Sequence, residues 1–130
     1  MSINCGDCFL AGESDEEKLH LRVVVTSPVA GEVIVVSITT RRRNSESLVV
    51  LLPGAHPFIQ HESVVAYRYS EIRTVESIEA ALKNGQAQRR EPMPPDALRR
   101  IRAGLRDSDH TPNGVRHYFL TVEGEPTEGR

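Results

Sequence analysis

The sequence is poor in the residues that mark several classes of protein. Its 130 residues include only two cysteines, too few for the disulfide scaffold of a small secreted domain. No apolar run approaches the roughly 18–20 residues that a membrane span needs. The first residues lack the basic start and apolar centre of a secretory signal. We therefore expect a cytoplasmic protein that does not bind membranes, and the length fits one domain.

Lysine is also scarce, since Lys18 and Lys83 are the only two among 16 basic residues. The others are arginines, whose planar guanidinium matches phosphate and carboxylate groups. The net charge of −2 excludes a polybasic nucleic-acid binder. The arginines are nevertheless clustered, at 41–43 and again at 89–106, away from the acidic residues at 13–17. These clusters form either a basic face on a neutral protein or ordinary solvated surface.

Apolar alternation and β-branched residues predict strands over the first two thirds of the chain. The candidate strands are residues 8–10, 19–26, 32–38, 47–52 and 63–69, separated by polar, glycine and proline segments. In the second candidate, Leu21 and Val23 alternate with His20 and Arg22, so the two pairs face opposite sides. The run at 33–36 is apolar throughout, which is typical of a strand buried on both faces.

Helical spacing begins only in the last third. Val75, Ile78 and Leu82 form an apolar stripe, with Ser77 as the expected N-cap and Gly85 just beyond the end. Residues 86–95 read as a linker, 96–105 as a second helix, and 117–120 as a short strand. We therefore predict a mainly β fold: a small curled barrel of five to six antiparallel strands with two peripheral α-helices. This single domain would span residues 1–122, followed by a tail at 123–130.

Short motifs recur in an order that carries a family resemblance. They are Gly-Asp at 6–7, Val-Val-Thr-Ser at 24–27, Val-Val-Ser-Ile-Thr-Thr at 35–40, Val-Val-Ala-Tyr-Arg-Tyr at 64–69 and Ile-Arg-Thr-Val at 72–75. This order resembles the PemK/MazF family of toxin endoribonucleases, over residues 6 to 80. The resemblance implies an SH3-like barrel, a homodimer, an antitoxin partner, and cleavage of single-stranded RNA without a metal or other cofactor.

The resemblance also implies a site. In that family an arginine before the Val-Val-Ser strand and the threonine of the Ile-Thr-Ser strand carry the chemistry. Thr39 and Thr40 match the second position. Arg22 is nearest to the first, but it lacks the neighbouring proline and is shifted by one residue, which on a strand moves a side chain to the opposite face.

The chemistry of RNA cleavage indicates further candidates. Attack by the 2′-OH needs a base, an acid for the leaving oxygen and cations for the phosphorane charge. Histidine suits both proton roles and arginine suits the charge role. We therefore expect catalysis from Thr39, Thr40, His56, His61 and Arg68. RNA and phosphate binding is expected from Arg22, Arg41, Arg42, Arg43, Tyr67 and Tyr69.

Each of these interpretations has an alternative. The two loop histidines, His56 and His61, could instead cap their loop through backbone hydrogen bonds, and the tyrosines could be core residues. Cys5 and Cys8, spaced C-x₂-C, could join the histidines in a zinc site, although two reduced thiols and no metal are expected. The alternative function is a non-catalytic module that binds protein or nucleic acid through the arginine-rich second helix.

Overall fold

A six-stranded antiparallel sheet forms the centre of the molecule. The computed structural model describes residues 2–12 and 19–124. The strands are β1 (Cys8–Ala11), β2 (His20–Val24), β3 (Glu32–Thr40), β4 (Val50–Leu51), β5 (Ser63–Thr74) and β6 (Ala87–Arg90). The helices are α1 (Val75–Lys83), α2 (Pro95–Asp107) and α3 (Asn113–Glu123). The strand order is β4-β5-β3-β2-β1-β6, and the sheet curls into a half-barrel. The predicted mainly β, curled antiparallel fold is confirmed.

The sheet is buried on both faces, as the β-branched run in β3 predicts. Val33 and Val35 pack in one cluster with Ile78 of α1. Ile34 and Val36 point the other way, into a larger cluster that contains Ile101 of α2. Because each face has its own cover, the successive side chains at 33–38 of β3 are all buried. Side chains of β3 reach solvent only at its two ends, at Glu32 and at Thr39 and Thr40.

A bulge in β5 decides which of its side chains reach solvent. Val35 pairs with Glu71 whereas Ser37 pairs with Ala66, so four residues of β5 lie opposite the single residue Val36. Such an irregularity redirects side chains and bends the strand. Tyr67 consequently lies in the core, while Arg68 and Tyr69 are exposed.

The structure corrects several boundaries in the last two thirds of the chain. The fourth strand is only two residues long, and β5 extends to Thr74, which replaces Ser77 as the N-cap: its side chain accepts a hydrogen bond of 3.1 Å from the Ser77 amide. Residues 86–95 contain β6. Residues 117–120 lie in α3 and not in a strand, because Val115 and Phe119, four residues apart, form the buried side of a helix. The described residues therefore contain three helices, where the sequence predicted two.

Some predictions fall on residues outside the described part. The acidic residues at 13–17 lie outside it, and of the tail at 123–130 only Glu123, the last residue of α3, and Gly124 are described. Among the described residues, none of the helices combines the length and the apolar character that crossing a membrane requires.

Candidate functional site

Two concavities meet at the end of the β3–β5 ladder, where Thr39 pairs with Val64 and Thr40 with Ser63. We name the first, of about 370 Å³, the cationic groove; it is lined by Thr39, Arg42, Arg43, Asn44, Ser45, Glu46, Val64, Ala66, Arg68 and Tyr69. We name the second, of about 340 Å³, the histidine pocket; it is lined by Leu19, His20, Leu21, Ile38, Thr39, Thr40, Pro57, Phe58, Ile59, Gln60, His61 and Ser63. Thr39 lines both. The segment after Ile38 and the histidine-bearing segment before Ser63 thus share one mouth.

A tight turn after β3 carries the arginines of the cationic groove. The Arg42 amide donates to Ser45 Oγ at 2.7 Å, and the Ser45 amide donates back to the Arg42 carbonyl at 3.2 Å. These bonds fix the turn while Arg42 and Arg43 stay exposed on the groove. Arg41 does not line it, because its guanidinium pairs with Glu62 at 2.5 Å. The groove therefore gathers two of the three predicted arginines of this run.

Glu46 ties this turn to the bulge of β5. Its side chain is only 3% exposed, and Oε2 accepts from the Arg68 amide at 3.1 Å and from Arg68 Nε at 3.3 Å. No donor among the described residues reaches its buried Oε1. The ion pair uses Nε of Arg68 and leaves the two terminal nitrogens of the guanidinium for other acceptors. Sequence patterns gave no sign of Glu46, because nothing in its neighbourhood indicates burial.

Arg22 lies on the same face of the sheet as Thr39. It is directly opposite Ser37 in the β2–β3 ladder, and Ser37 and Thr39 share a face because strand side chains alternate. Ser37 in turn pairs with Ala66, which lines the cationic groove. Arg22 is therefore on the face of Thr39 and on the opposite face from Thr40. Its side chain is nevertheless buried, at 7% exposure.

The histidine pocket contains one histidine that was predicted and one that was not. His61 is exposed at the pocket, and His20, at the start of β2, is half-buried in its lining. Sequence alternation assigned His20 to a strand face but could not show that β2 begins beside the loop of His61. Thr39 and Thr40 are among the residues that line the same pocket.

His56 lies in neither concavity. It is completely buried; its Nδ1 accepts from the Phe58 amide at 3.0 Å, and its Nε2 lies 2.6 Å from the Glu91 carbonyl oxygen. Both ring nitrogens are therefore engaged by backbone, with the proton on Nε2. His56 is therefore a loop cap, as the alternative interpretation had it. It is not among the residues that could transfer protons to RNA.

Tyr67 and Tyr69, both predicted to bind RNA, differ in burial. Tyr67 is fully buried and its hydroxyl donates to the Ile101 carbonyl of α2 at 2.7 Å. Burial raises the pKa of this hydroxyl well above its ordinary value. Tyr67 cannot stack on a base, so this part of the predicted site is corrected. Tyr69 is 53% exposed and lines the cationic groove.

The arginines of α2 are engaged in local contacts. Arg99 pairs with Asp96 of the same helix at 3.0 Å, and Arg102 pairs with Glu123 of α3. Arg100 donates to the Val50 carbonyl at 2.9 Å. These contacts support the interpretation of the second arginine cluster as solvated and paired surface.

The cysteines do not form part of a metal site in the described residues. Cys8 is buried in the larger core cluster, and burial raises the pKa of its thiol to about 12. Burial also raises the pKa of the half-buried Cys5. In residues 2–12 and 19–124 no three or more His, Cys, Asp or Glu side chains are grouped so as to hold a metal ion.

Comparison with solved structures agrees with the fold. No protein-family model matches the sequence, and no curated protein matches it. A crystal structure of MazE–MazF (Form II) from Deinococcus radiodurans is similar, with a TM-score of 0.55 and 15% identity, over 85% of this chain and 97% of that chain. Form III of the same complex is similar with a TM-score of 0.50 and 14% identity, over 95% of this chain and 98% of that chain. At such low identity these matches show a MazF-like fold.

Proposed function

We propose that the chain is an endoribonuclease that cleaves single-stranded RNA without a metal ion or other cofactor. One observation carries the proposal: Thr39, at the end of β3, lies between a groove lined by Arg42, Arg43 and Arg68 and a pocket lined by two histidines. Guanidinium groups suit a phosphate, and imidazoles suit proton transfer near neutral pH. The MazF-like fold supports the same activity class.

The reaction assigned to this site needs only groups of the chain and the RNA. The 2′-oxygen bonds to phosphorus as its proton passes to a base, and the bond from phosphorus to the 5′-oxygen breaks as that oxygen takes a proton from an acid. His61 and His20 are assigned the two proton transfers. The guanidinium groups and the Thr39 hydroxyl donate to the phosphate oxygens. The products are a 2′,3′-cyclic phosphate and a 5′-hydroxyl.

Arg22 completes the cationic side of this proposal. Its position opposite Ser37, one strand from groove-lining Ala66, supports a role in holding the phosphate charge from beneath the groove. The similar Deinococcus radiodurans structure is a MazE–MazF complex, which supports an antitoxin partner for this chain. We include a homodimer in the same proposal.

The test is cleavage of single-stranded RNA by purified protein in EDTA. Thr39→Val and Arg68→Ala should each lower the rate by roughly 100-fold or more, because each removes a donor to the phosphate. Arg99→Ala, on the exposed side of α2, is the matched control and should cut at the wild-type rate. Activity that requires a divalent metal, or equal loss in the control variant, would overturn the mechanism.

Expression in a bacterial host separates this function from a binding module. The nuclease should stop growth, and Thr39→Val should relieve the arrest while the variant accumulates in folded form. Harmless expression of the folded wild-type chain would favour the non-catalytic module.

A further inference from the structure

We propose that the histidine pocket binds a single nucleobase of the RNA, with Phe58 as its stacking face. The inference rests on the proposed function and adds to it the group that would give sequence preference. Single-stranded RNA is recognised through unstacked bases that stack on aromatic rings and use their edges for hydrogen bonds. The histidine pocket offers both kinds of contact.

Phe58 is an exposed aromatic side chain in a segment that hydrogen bonds hold in place. Its side chain is 41% exposed and belongs to neither core cluster. The Phe58 amide is bonded to His56 Nδ1, and the next amide, of Ile59, is bonded to the His56 carbonyl at 2.9 Å. Ile59 is buried and anchors the segment. The ring is thus presented by a preorganised loop, which lowers the ordering cost of stacking.

The rest of the lining suits the body and edge of a base. Leu21, Ile38 and Ile59 supply apolar wall. Gln60, His61 and Thr40 add hydrogen-bond donors and acceptors to the lining, which the polar edge of a flat heterocycle requires. The volume of about 340 Å³ lies in the range of small-molecule pockets.

The adjacent cationic groove favours a nucleobase over an apolar side chain of a protein. Thr39 lines both concavities, so the histidine pocket and the groove of Arg42, Arg43 and Arg68 adjoin at this residue. An aromatic group joined to an anionic backbone satisfies both sites at once. An apolar peptide segment would leave the arginines without acceptors.

A single-tryptophan variant tests the pocket directly. The chain has no tryptophan, so Phe58→Trp introduces one fluorophore at the proposed stacking face. Titration with AMP, GMP, CMP and UMP should quench its fluorescence, with affinities that differ between bases, whereas ribose 5-phosphate should not. Leu52→Trp, at a position 62% exposed and outside both concavities, is the matched control and should not respond. Equal quenching by ribose 5-phosphate, or an equal response of the control, would overturn the proposal.

Phe58→Ala gives an independent measurement. Loss of one stacked base should weaken RNA binding by about 5- to 150-fold and raise KM more than it lowers kcat. Thermal melting should be close to wild type, because the ring is in neither core cluster. Base-dependent quenching without any RNA cleavage would contradict the proposed nuclease activity and support the nucleobase pocket. If the protein cleaves RNA but the Phe58→Trp fluorescence is not quenched and Phe58→Ala binds RNA as tightly as the wild type, only the nucleobase pocket is contradicted.

Discussion

The carboxylate of Glu46 accepts both the backbone amide and Nε of Arg68, at 3.1 and 3.3 Å. This pair joins the arginine-bearing turn after β3 to the bulge of β5, two segments that are far apart in the sequence. The groove therefore has its shape because one buried carboxylate holds its two walls together.

Replacing Glu46 should separate its hydrogen-bonding role from its charge. Glu46→Ala removes the acceptor for the Arg68 amide and should lower the free energy of unfolding by about 1–3 kcal/mol. Glu46→Gln keeps an acceptor oxygen and should cost less. Because it also removes a negative charge beside the groove, RNA binding at low salt should be equal or tighter. Urea unfolding and RNA titration measure both, and a glutamine variant as unstable as the alanine variant would contradict the account.

The two loop histidines should respond to substitution in opposite ways. His56→Ala removes a fully buried ring and leaves the Glu91 carbonyl and the Phe58 amide without their partner, so it should destabilise the fold by about 1–3 kcal/mol. His61→Ala should leave the melting temperature unchanged and lower the rate of RNA cleavage by roughly 100-fold. Calorimetry and a cleavage assay on both variants check this. Equal melting temperatures for the two would show that His56 is not the loop cap.

Gly104 should not tolerate even a methyl group. A Cβ there would lie 2.7 Å from Tyr67 Cζ and 2.8 Å from Val49 Cγ2, and closer still to the Tyr67 hydroxyl. Gly104→Ala should therefore destabilise the protein by about 1–3 kcal/mol through overpacking, despite the better helix propensity of alanine. Tyr67→Phe removes the hydroxyl and should relieve part of this loss in the double variant. Additive effects in a double-mutant cycle would argue against the contact.

Alkaline pH should weaken the fold through Cys8. Burial raises the pKa of the Cys8 thiol in the folded protein from its ordinary value near 9 to about 12. The stability that the protonated thiol contributes to the fold is therefore fully present below pH 9 and is lost as the pH rises towards 12. The raised pKa of Tyr67 acts in the same direction. Cys8→Ala should therefore show a smaller fall in unfolding free energy between pH 8 and pH 10.5. Parallel curves for the variant and the wild type would contradict this assignment.

Local patterns predicted the elements whose stability is local, and they failed where distant contacts decide. The apolar β-branched run of β3 and the apolar stripe of α1 are visible in the sequence, and both elements form. The bulge of β5 is not visible, because it exists only against β3, so Tyr67 and Tyr69 were assigned the same environment. The helix α3 was missed because the run of Tyr118 and Phe119 has strand propensity, and packing on the core overrides it.

The site shows the same limit. Thr39 and His61 both belong to the predicted catalytic set, and both line the histidine pocket. Thr39 lies at the end of β3 and His61 just before β5, which pairs with β3. The burial of His56 depends on Glu91, 35 residues away. The face that Arg22 shares with Thr39 depends on the register between β2 and β3, which the sequence of one strand does not determine.

The most direct test of a Thr39-centred RNA-cleaving site uses two matched strands in EDTA. One is RNA, and the other carries a single 2′-deoxynucleotide on the 5′ side of the bond that is cut. The account predicts cleavage of the first strand to a 2′,3′-cyclic phosphate and a 5′-hydroxyl, read by mass spectrometry, with the second strand intact at that bond. Cleavage of both strands, or of neither until a divalent metal is added, would contradict it.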